Sequence, residues 1–376
     1  MRHHSLKNKK ICVISTFGHN GIDWLHSLID SHPDVLIMPG FSFYRTIDKI
    51  QTILNVKSLS KLSSELLAST FVKLFFEDPG YQVVRRKFIN NKDERDRFKD
   101  SLMHYLSVSE ADCIDRRLFF GLHFSFAEVK RIDLDCIKVI VIQEHVPWHS
   151  MKYKKIFNPY FVFMMRDPRA ALIGSWIRLK SANVSGMINS YQFDHTLLYW
   201  KYAEAFVKKI AFSNRCKIMK NEDMHDNLSH EMDELCKWLS IDYNNSCLYE
   251  TFLGRRWLGE SVYLAVDELK EPPPENFYNK NEIEKRWRNS ISLREIKIIE
   301  SVYRDIFSTY NYMPDNNNNN KLIDIWAGNL NCMMINTLDS DSKFSLVIFL
   351  KIVRNFSRRF LILYCPLRVR SFFNIL

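Results

Sequence analysis

The chain has 376 residues, 46% hydrophobic and 14% aromatic, enough for one large domain or two ordinary ones with a real core, which excludes a disordered polymer. Its 53 Lys and Arg against 43 Asp and Glu give a formal charge of +10, favouring anionic partners such as nucleotides, polyanionic glycans, lipid headgroups or nucleic acid without selecting among them. The eight cysteines are scattered with no C-x-x-C pair, which excludes a disulfide framework or a zinc-site spacing and suits buried thiols in a reducing compartment.

The basic N-terminus runs straight into a short apolar segment, with no stretch suited to a signal peptide or membrane anchor, so residence in the cytoplasm is expected. Lys10 to Thr16 is a compact β-rich run. It breaks at Phe17-Gly18-His19-Asn20-Gly21 before Ile22 to Ser31, where Trp24, Leu25, Leu28 and Ile29 recur at helical spacing. This reads as strand, glycine loop and helix, and Val35 to Met38 reads as the next strand. Residues 42–132 carry a mostly helical pattern and no assignable chemistry. Ile137 to Ile142, Phe161 to Met165 and Cys216 to Met219 are further strand signals, the first two nearly continuous in apolar residues, as in strands covered on both faces. Strands separated by helical patterns predict an α/β fold with a central, mostly parallel sheet flanked by helices.

A charged helix is expected over Ser292 to Ser308, after Pro272-Pro273-Pro274. The compact domain is read as 9–313, followed by an Asn-rich linker over 314–342 and a tail over 343–376. From Lys343 to Leu376 there are seven Lys or Arg and no acid among Phe, Leu, Ile and Val, a pattern that suits a basic amphipathic surface helix. Such a helix either docks on an anionic membrane or packs back on the domain.

Two segments carry chemistry. A strand ending in a glycine turn at a helix start offers free backbone N–H groups and a helix dipole to an anion. Gly18 to Trp24 has that form without the G-K-[ST] of a Walker A loop, and a purely structural turn fits it equally well. In Phe161 to Trp176 a strand leads into Arg166 and Arg169 around Pro168, which suits a first helical turn, with Gly174-Ser175 further on. Two guanidiniums there can clamp a phosphate, or they can be solvated arginines on a capped helix. His145-x-x-x-His149 has the spacing of a metal pair, but Pro147 between them disfavours the helix that would align both, and no metal is expected.

The order and company of these pieces resemble the sulfotransferases that use 3′-phosphoadenylyl sulfate (PAPS). Thr16 to Trp24 resembles the family's T-Y-P-K-S-G-T-T-W phosphosulfate loop, and Leu28-Ile29-Asp30-Ser31-His32-Pro33 its L-L-D-S-H-P continuation. Arg166-Asp167-Pro168-Arg169 matches the R-D-P-R turn. Gln143-Glu144-His145-Val146-Pro147 is similar to K-T-H-L-P, Lys217 to Met224 to the strand ending in Y-E-D-L, and Arg286-Trp287-Arg288-Asn289 to the segment that closes over the nucleotide. The resemblance implies a P-loop-like sulfotransferase fold with PAPS as co-substrate and no metal. Gly18, His19, Asn20, Gly21, Ile22, Asp23 and Trp24 would hold the 5′ end, Arg166 and Ser175 the 3′-phosphate, and Arg288 the closing contact. His145 would take the acceptor proton with Glu144 in reserve, and His19 would stabilise the leaving phosphate.

The loop departs from the family pattern at its basic position, His19, and at its hydroxyl pair, Ile22 and Asp23. His19 donates a hydrogen bond and, when protonated, a charge; Asp23 is a carboxylate that repels a docked phosphate. The expected function is sulfuryl transfer from PAPS to a hydroxyl or amine of a carbohydrate or lipid-linked acceptor, with no role for nucleic acid. The alternative is a catalytically inactive nucleotide-binding or scaffold protein of the same fold.

Overall fold

A computed structural model describes residues 9–16, 20–38, 42–76, 92–108, 113–145, 149–172, 207, 214–256, 287–288 and 293–315. The chain opens with β1 (Lys10–Thr16), α1 (Ile22–Ile29) and β2 (Val35–Ile37). Four helices follow: α2 (Phe43–Ile53), α3 (Ser64–Phe76), α4 (Lys92–Val108) and α5 (Ile114–Lys130). Then come β3 (Val139–Glu144), α6 (Ser150–Phe157), β4 (Tyr160–Met165), β5 (Cys216–Lys220), α7 (Asn221–Asp226) and α8 (Leu228–Leu239). The short pair β6 (Thr251–Phe252) and β7 (Arg255–Arg256) precedes α9 (Leu293–Val302) and α10 (Arg304–Thr309).

β1 to β5 form one sheet in the order β2-β3-β1-β4-β5, and every pairing in it is parallel. The parallel α/β architecture expected from the apolar runs is the one observed. Because side chains alternate along a strand, each run feeds two cores. Ile11, Val13, Ile140, Ile142, Phe161 and Phe163 face a Phe-rich layer built from α2 to α6, including Phe43, Phe71, Phe98, Phe119 and Tyr153. Cys12, Ile14, Val139, Val141, Val162 and Met164 face α1 and α8, with Trp24, Leu25, Leu28, Met232 and Leu235. The helical region that carried no recognisable motif is therefore the wall covering one face of the sheet.

The element boundaries shift where tertiary bonds decide them. β3 starts two residues later than the sequence suggests, because Cys136 and Ile137 close a turn onto the carbonyls of Asp133 and Leu134. It also continues to Glu144, since Ser15 pairs with Glu144 in the ladder and its Oγ donates to the Glu144 carbonyl at 2.8 Å. The helix expected to end at Ser31 stops at Ile29, and that expected over Ser292 to Ser308 breaks at Tyr303 into α9 and α10. The Pro272 to Pro274 segment and residues 316–376 lie outside the described residues. Asp315, the second residue of the segment read as a linker, is held within the folded part by Arg169 and Arg288. Among the described residues no helix is long and apolar enough to cross a membrane.

Candidate functional site

β1 lies between β3 and β4, and Ser15 pairs with Glu144 while Thr16 pairs with Met164, so the three strands end at one level. Residues following β3 and β4 are therefore about 10 Å apart, two strand spacings, with the β1 loop between them. Ligands of open α/β sheets bind at such an edge, where neighbouring strands send their connections in different directions.

On the β1 side, Gly18 and His19 lie outside the described residues. Asn20 is fully buried, and its Nδ2 donates to the Met164 carbonyl at 3.0 Å, tying the loop to β4. Gly21 caps α1 with φ of 88°, and a Cβ there would stand 2.4 Å from Nδ2 of Asn221. Left-handed backbone and close approach both require glycine. Ile22 is buried in the α1-side core. Trp24 is buried too: its Nε1 donates to Glu250 at 3.0 Å and its ring stacks on His225. Asp23 sits in the first turn, where a carboxylate favours the helix, and its Oδ1 accepts from Nε2 of Gln143. The Asp23 carboxylate is thus drawn toward β3 by Gln143, a residue of the K-T-H-L-P-like segment for which the resemblance implied no role.

At the end of β3 the alternation separates the two candidate bases. Gln143 and the half-buried His145 are on the α1 side, with Nε2 of Gln143 3.1 Å from Nε2 of His145. Glu144 faces the opposite layer and is fully buried. It accepts from Ser42 Oγ at 2.8 Å and Tyr153 Oη at 3.3 Å, with His149 Nδ1 3.4 Å away. Its place as reserve base is corrected on this geometry: Glu144 ties α2 and α6 to the sheet. His26, buried beneath Gln143, has its pKa lowered by desolvation, partly offset by Asp30 and Asp23.

At the end of β4, Asp167 caps a helical turn over 168–172, accepting from the Arg169 backbone at 2.8 Å, with Pro168 at its first position. The two arginines of this turn diverge. Arg169 is buried, and its guanidinium donates to Asp167, Glu300, Asp315 and the Met313 carbonyl while lying over the rings of Trp287 and Phe307. Neither of the two open readings of this turn, a two-arginine clamp or solvated arginines, describes Arg169, whose guanidinium N–H groups are all engaged. Arg166 is half-buried at the strand's end. Glu222 braces the turn by accepting from the Asp167 N–H at 2.8 Å, and Tyr312 donates to its other oxygen at 3.1 Å; desolvation raises its pKa. Arg288 lies against Trp287 and pairs with Asp315 at 2.5 Å. Ser175 lies outside the described residues.

One group among the described residues has metal-ligand chemistry: His32, Cys236 and Cys247, with their ligand atoms within 4.8 Å of one another. It lies at the opposite, amino end of the sheet, beside the Asp34 carbonyl that receives the N–H groups of Lys138 and Val139. His32 Nδ1 accepts from the Asp34 N–H at 3.1 Å and Nε2 donates to the Asp242 carbonyl at 2.9 Å. With both ring nitrogens engaged, His32 serves as a tie between loops.

No protein-family model matches the chain, and no curated protein does. In structure it is similar to a sulfotransferase domain from the curacin biosynthetic pathway, at 14% identity and a TM-score of 0.51, covering 81% of this chain and 98% of that one. It is also similar to the sulfotransferase domain of the Synechococcus PCC 7002 olefin synthase (14% identity, TM-score 0.44, 78% of this chain and 91% of that one). The sulfotransferase STF9 from Mycobacterium avium follows (10% identity, TM-score 0.39, 83% of this chain and 79% of that one). The first of these carries the structural argument: the chain has a sulfotransferase-like α/β fold.

Proposed function

We propose that the chain transfers a sulfuryl group from PAPS to a hydroxyl or amine of a carbohydrate or lipid-linked acceptor. The observation that carries this reading is the meeting of the β1 loop, His145 and Arg166 at one sheet edge, at the level set by the Ser15–Glu144 and Thr16–Met164 pairs. Arg166 receives the 3′-phosphate as a charge-assisted donor, and the backbone at the α1 start receives the 5′ end. His145 takes the acceptor proton as the acceptor oxygen attacks sulfur in line with the leaving bisphosphate. Asp23 raises the inactive scaffold as the competing reading. The bond from Gln143 to its carboxylate favours the active one, because that charge is partly committed to β3.

The test is calorimetry with adenosine 3′,5′-bisphosphate. Binding that weakens when the 3′-phosphate is removed from the ligand supports the reading; no binding of either compound ends it. Radiolabelled PAPS offered with glycan and glycolipid acceptors then separates transfer from binding alone.

A further inference from the structure

At the end of α1 remote from the site, two thiols meet. Cys236 lies in the last turn of α8, and Cys247 in a single 3₁₀ turn, Asn245–Leu248. Both are buried and reduced, and their sulfurs lie within 4.8 Å of one another and of a His32 ring nitrogen. A disulfide needs about 2 Å between sulfurs, so a modest turn of the two side chains closes the gap.

The pair is unequal. A hydrogen bond from Cys236 holds the Cys247 thiol below its ordinary range against the effect of burial, while the same bond and burial push the Cys236 thiol up. Cys247 is therefore the readier nucleophile. It also has a way out. Asn245 and Tyr249 are exposed, and the turn is closed by the Cys247 N–H to the Asn244 carbonyl at 3.0 Å and the Ser246 N–H to Asn244 Oδ1 at 2.9 Å. One such short turn opens locally without disturbing the sheet. The residues beyond it hold α1: Glu250 accepts from Trp24 Nε1 at 3.0 Å, Thr251 Oγ1 and Ser31 Oγ share a hydrogen bond of 2.7 Å, and the Gly254 N–H donates to Asp30 at 2.9 Å.

We propose that Cys236 and Cys247 form a dithiol–disulfide switch whose closed form clasps α8 to the turn that leads into the α1 contacts. With hydrogen peroxide as oxidant, the Cys247 sulfur attacks one peroxide oxygen. The O–O bond breaks, and the departing hydroxide leaves as water with the proton that Cys247 released. The Cys236 sulfur then attacks the sulfur of the Cys247 sulfenic acid; the S–S bond forms, the S–O bond breaks, and the hydroxyl leaves as water with the Cys236 proton. The two thiols lose two electrons and the peroxide gains them. A dithiol reductant reverses the step and departs as its own disulfide. The closed ring spans residues 236–247 and includes Asp242, whose carbonyl receives His32 Nε2. Tying that loop restricts the unfolded chain and so favours the folded one.

The test takes the reduced full chain, treats it with hydrogen peroxide at the dose that first modifies the exposed Cys136, alkylates it under denaturing conditions and maps the digest. The expected result is a linked peptide pair joining Cys236 to Cys247, lost when dithiothreitol precedes alkylation. The oxidised protein should unfold at a higher temperature than the reduced one, a difference absent in Cys247→Ser. In Cys236→Ser the Cys247 sulfenic acid should persist and be trapped by dimedone. The wild-type map and its melting shift decide the matter if either variant fails to fold. Both thiols recovered free at that dose, or a linked pair with no rise in unfolding temperature, overturns the proposal. So does stoichiometric zinc retained by the full chain after dialysis, with both thiols closed to peroxide, which would make the cluster a metal site.

Discussion

The ends of β3 and β4 sit on either side of β1 and settle one problem in two ways. Each sends one charged or titratable side chain inward and leaves another at the edge: Glu144 in and His145 out on β3, Arg169 in and Arg166 out on β4. At β4 the inward group is caged by three carboxylates, a carbonyl and two rings, and the cage joins the turn to α9 and to the 313–315 segment. At β3 the α1 side is bridged by Gln143, which meets Asp23 and His145 beside the buried His26. A turn cross-linked to distant segments thus faces a strand end bridged to α1 through the Gln143 amide.

Breaking the cage should have the largest effect. Arg169→Met leaves Asp167 and Glu300 uncompensated and should cost about 3–5 kcal/mol in urea unfolding, as removal of one partner of a buried ion pair does. Arg166→Ala, three residues away in sequence and at the edge of the sheet, should cost less stability than Arg169→Met. Its affinity for adenosine 3′,5′-bisphosphate should fall by about 1.5–3 kcal/mol, the worth of a hydrogen bond to a charged group, while 5′-AMP binding is hardly affected. If both arginines behave alike in either assay, the division of labour at β4 is wrong.

Gly21→Ala comes next. It strains a left-handed residue and collides with Asn221, so a loss of about 1–3 kcal/mol is expected. Adding Asn221→Ala should restore the part due to the collision and leave the part due to φ, a separation that a double-mutant cycle reads directly.

Acidity should distinguish the two ends most gently and with opposite signs. Burial holds His26 below the ordinary histidine value of 6.5, so the unfolded chain binds its proton first and stability falls as pH drops below that value. Desolvation raises Glu222 above the ordinary 4.5, so its contribution is complete below that value and is lost as pH rises through the folded one. Amide exchange, corrected for intrinsic rates and followed from about pH 7 to about pH 5, should show β3 losing protection before β4. Simultaneous loss would contradict the contrast.

Much of the sheet is legible in sequence because a strand covered on both faces must be apolar at nearly every position, as in Cys12 to Ile14 and Phe161 to Met165. The site is legible only in outline. Arg166 and Arg169 look alike in a string of letters; what separates them is Glu300 and Asp315, more than a hundred residues later. Asp23 reads as an intruder in an anion loop until register places Gln143 beside it. The choice between Glu144 and His145 depends on the face each presents, and the Ser15–Glu144 pairing fixes that face. Glu250 and His225, which hold Trp24, belong to a stretch whose local pattern gives no sign of contact with α1.

The placement of β1 at the centre of a parallel sheet also sets a timetable for synthesis. Ile11 pairs with Ile140 and Val13 with Phe161, so the earliest of these five strands to be made waits for both its neighbours. At about 5–20 residues per second, a ribosome takes roughly ten seconds or more to supply both neighbours. Through that interval the apolar ribbon from Ile11 to Ile14 is unsatisfied on both edges, a natural client for a chaperone waiting at the exit tunnel.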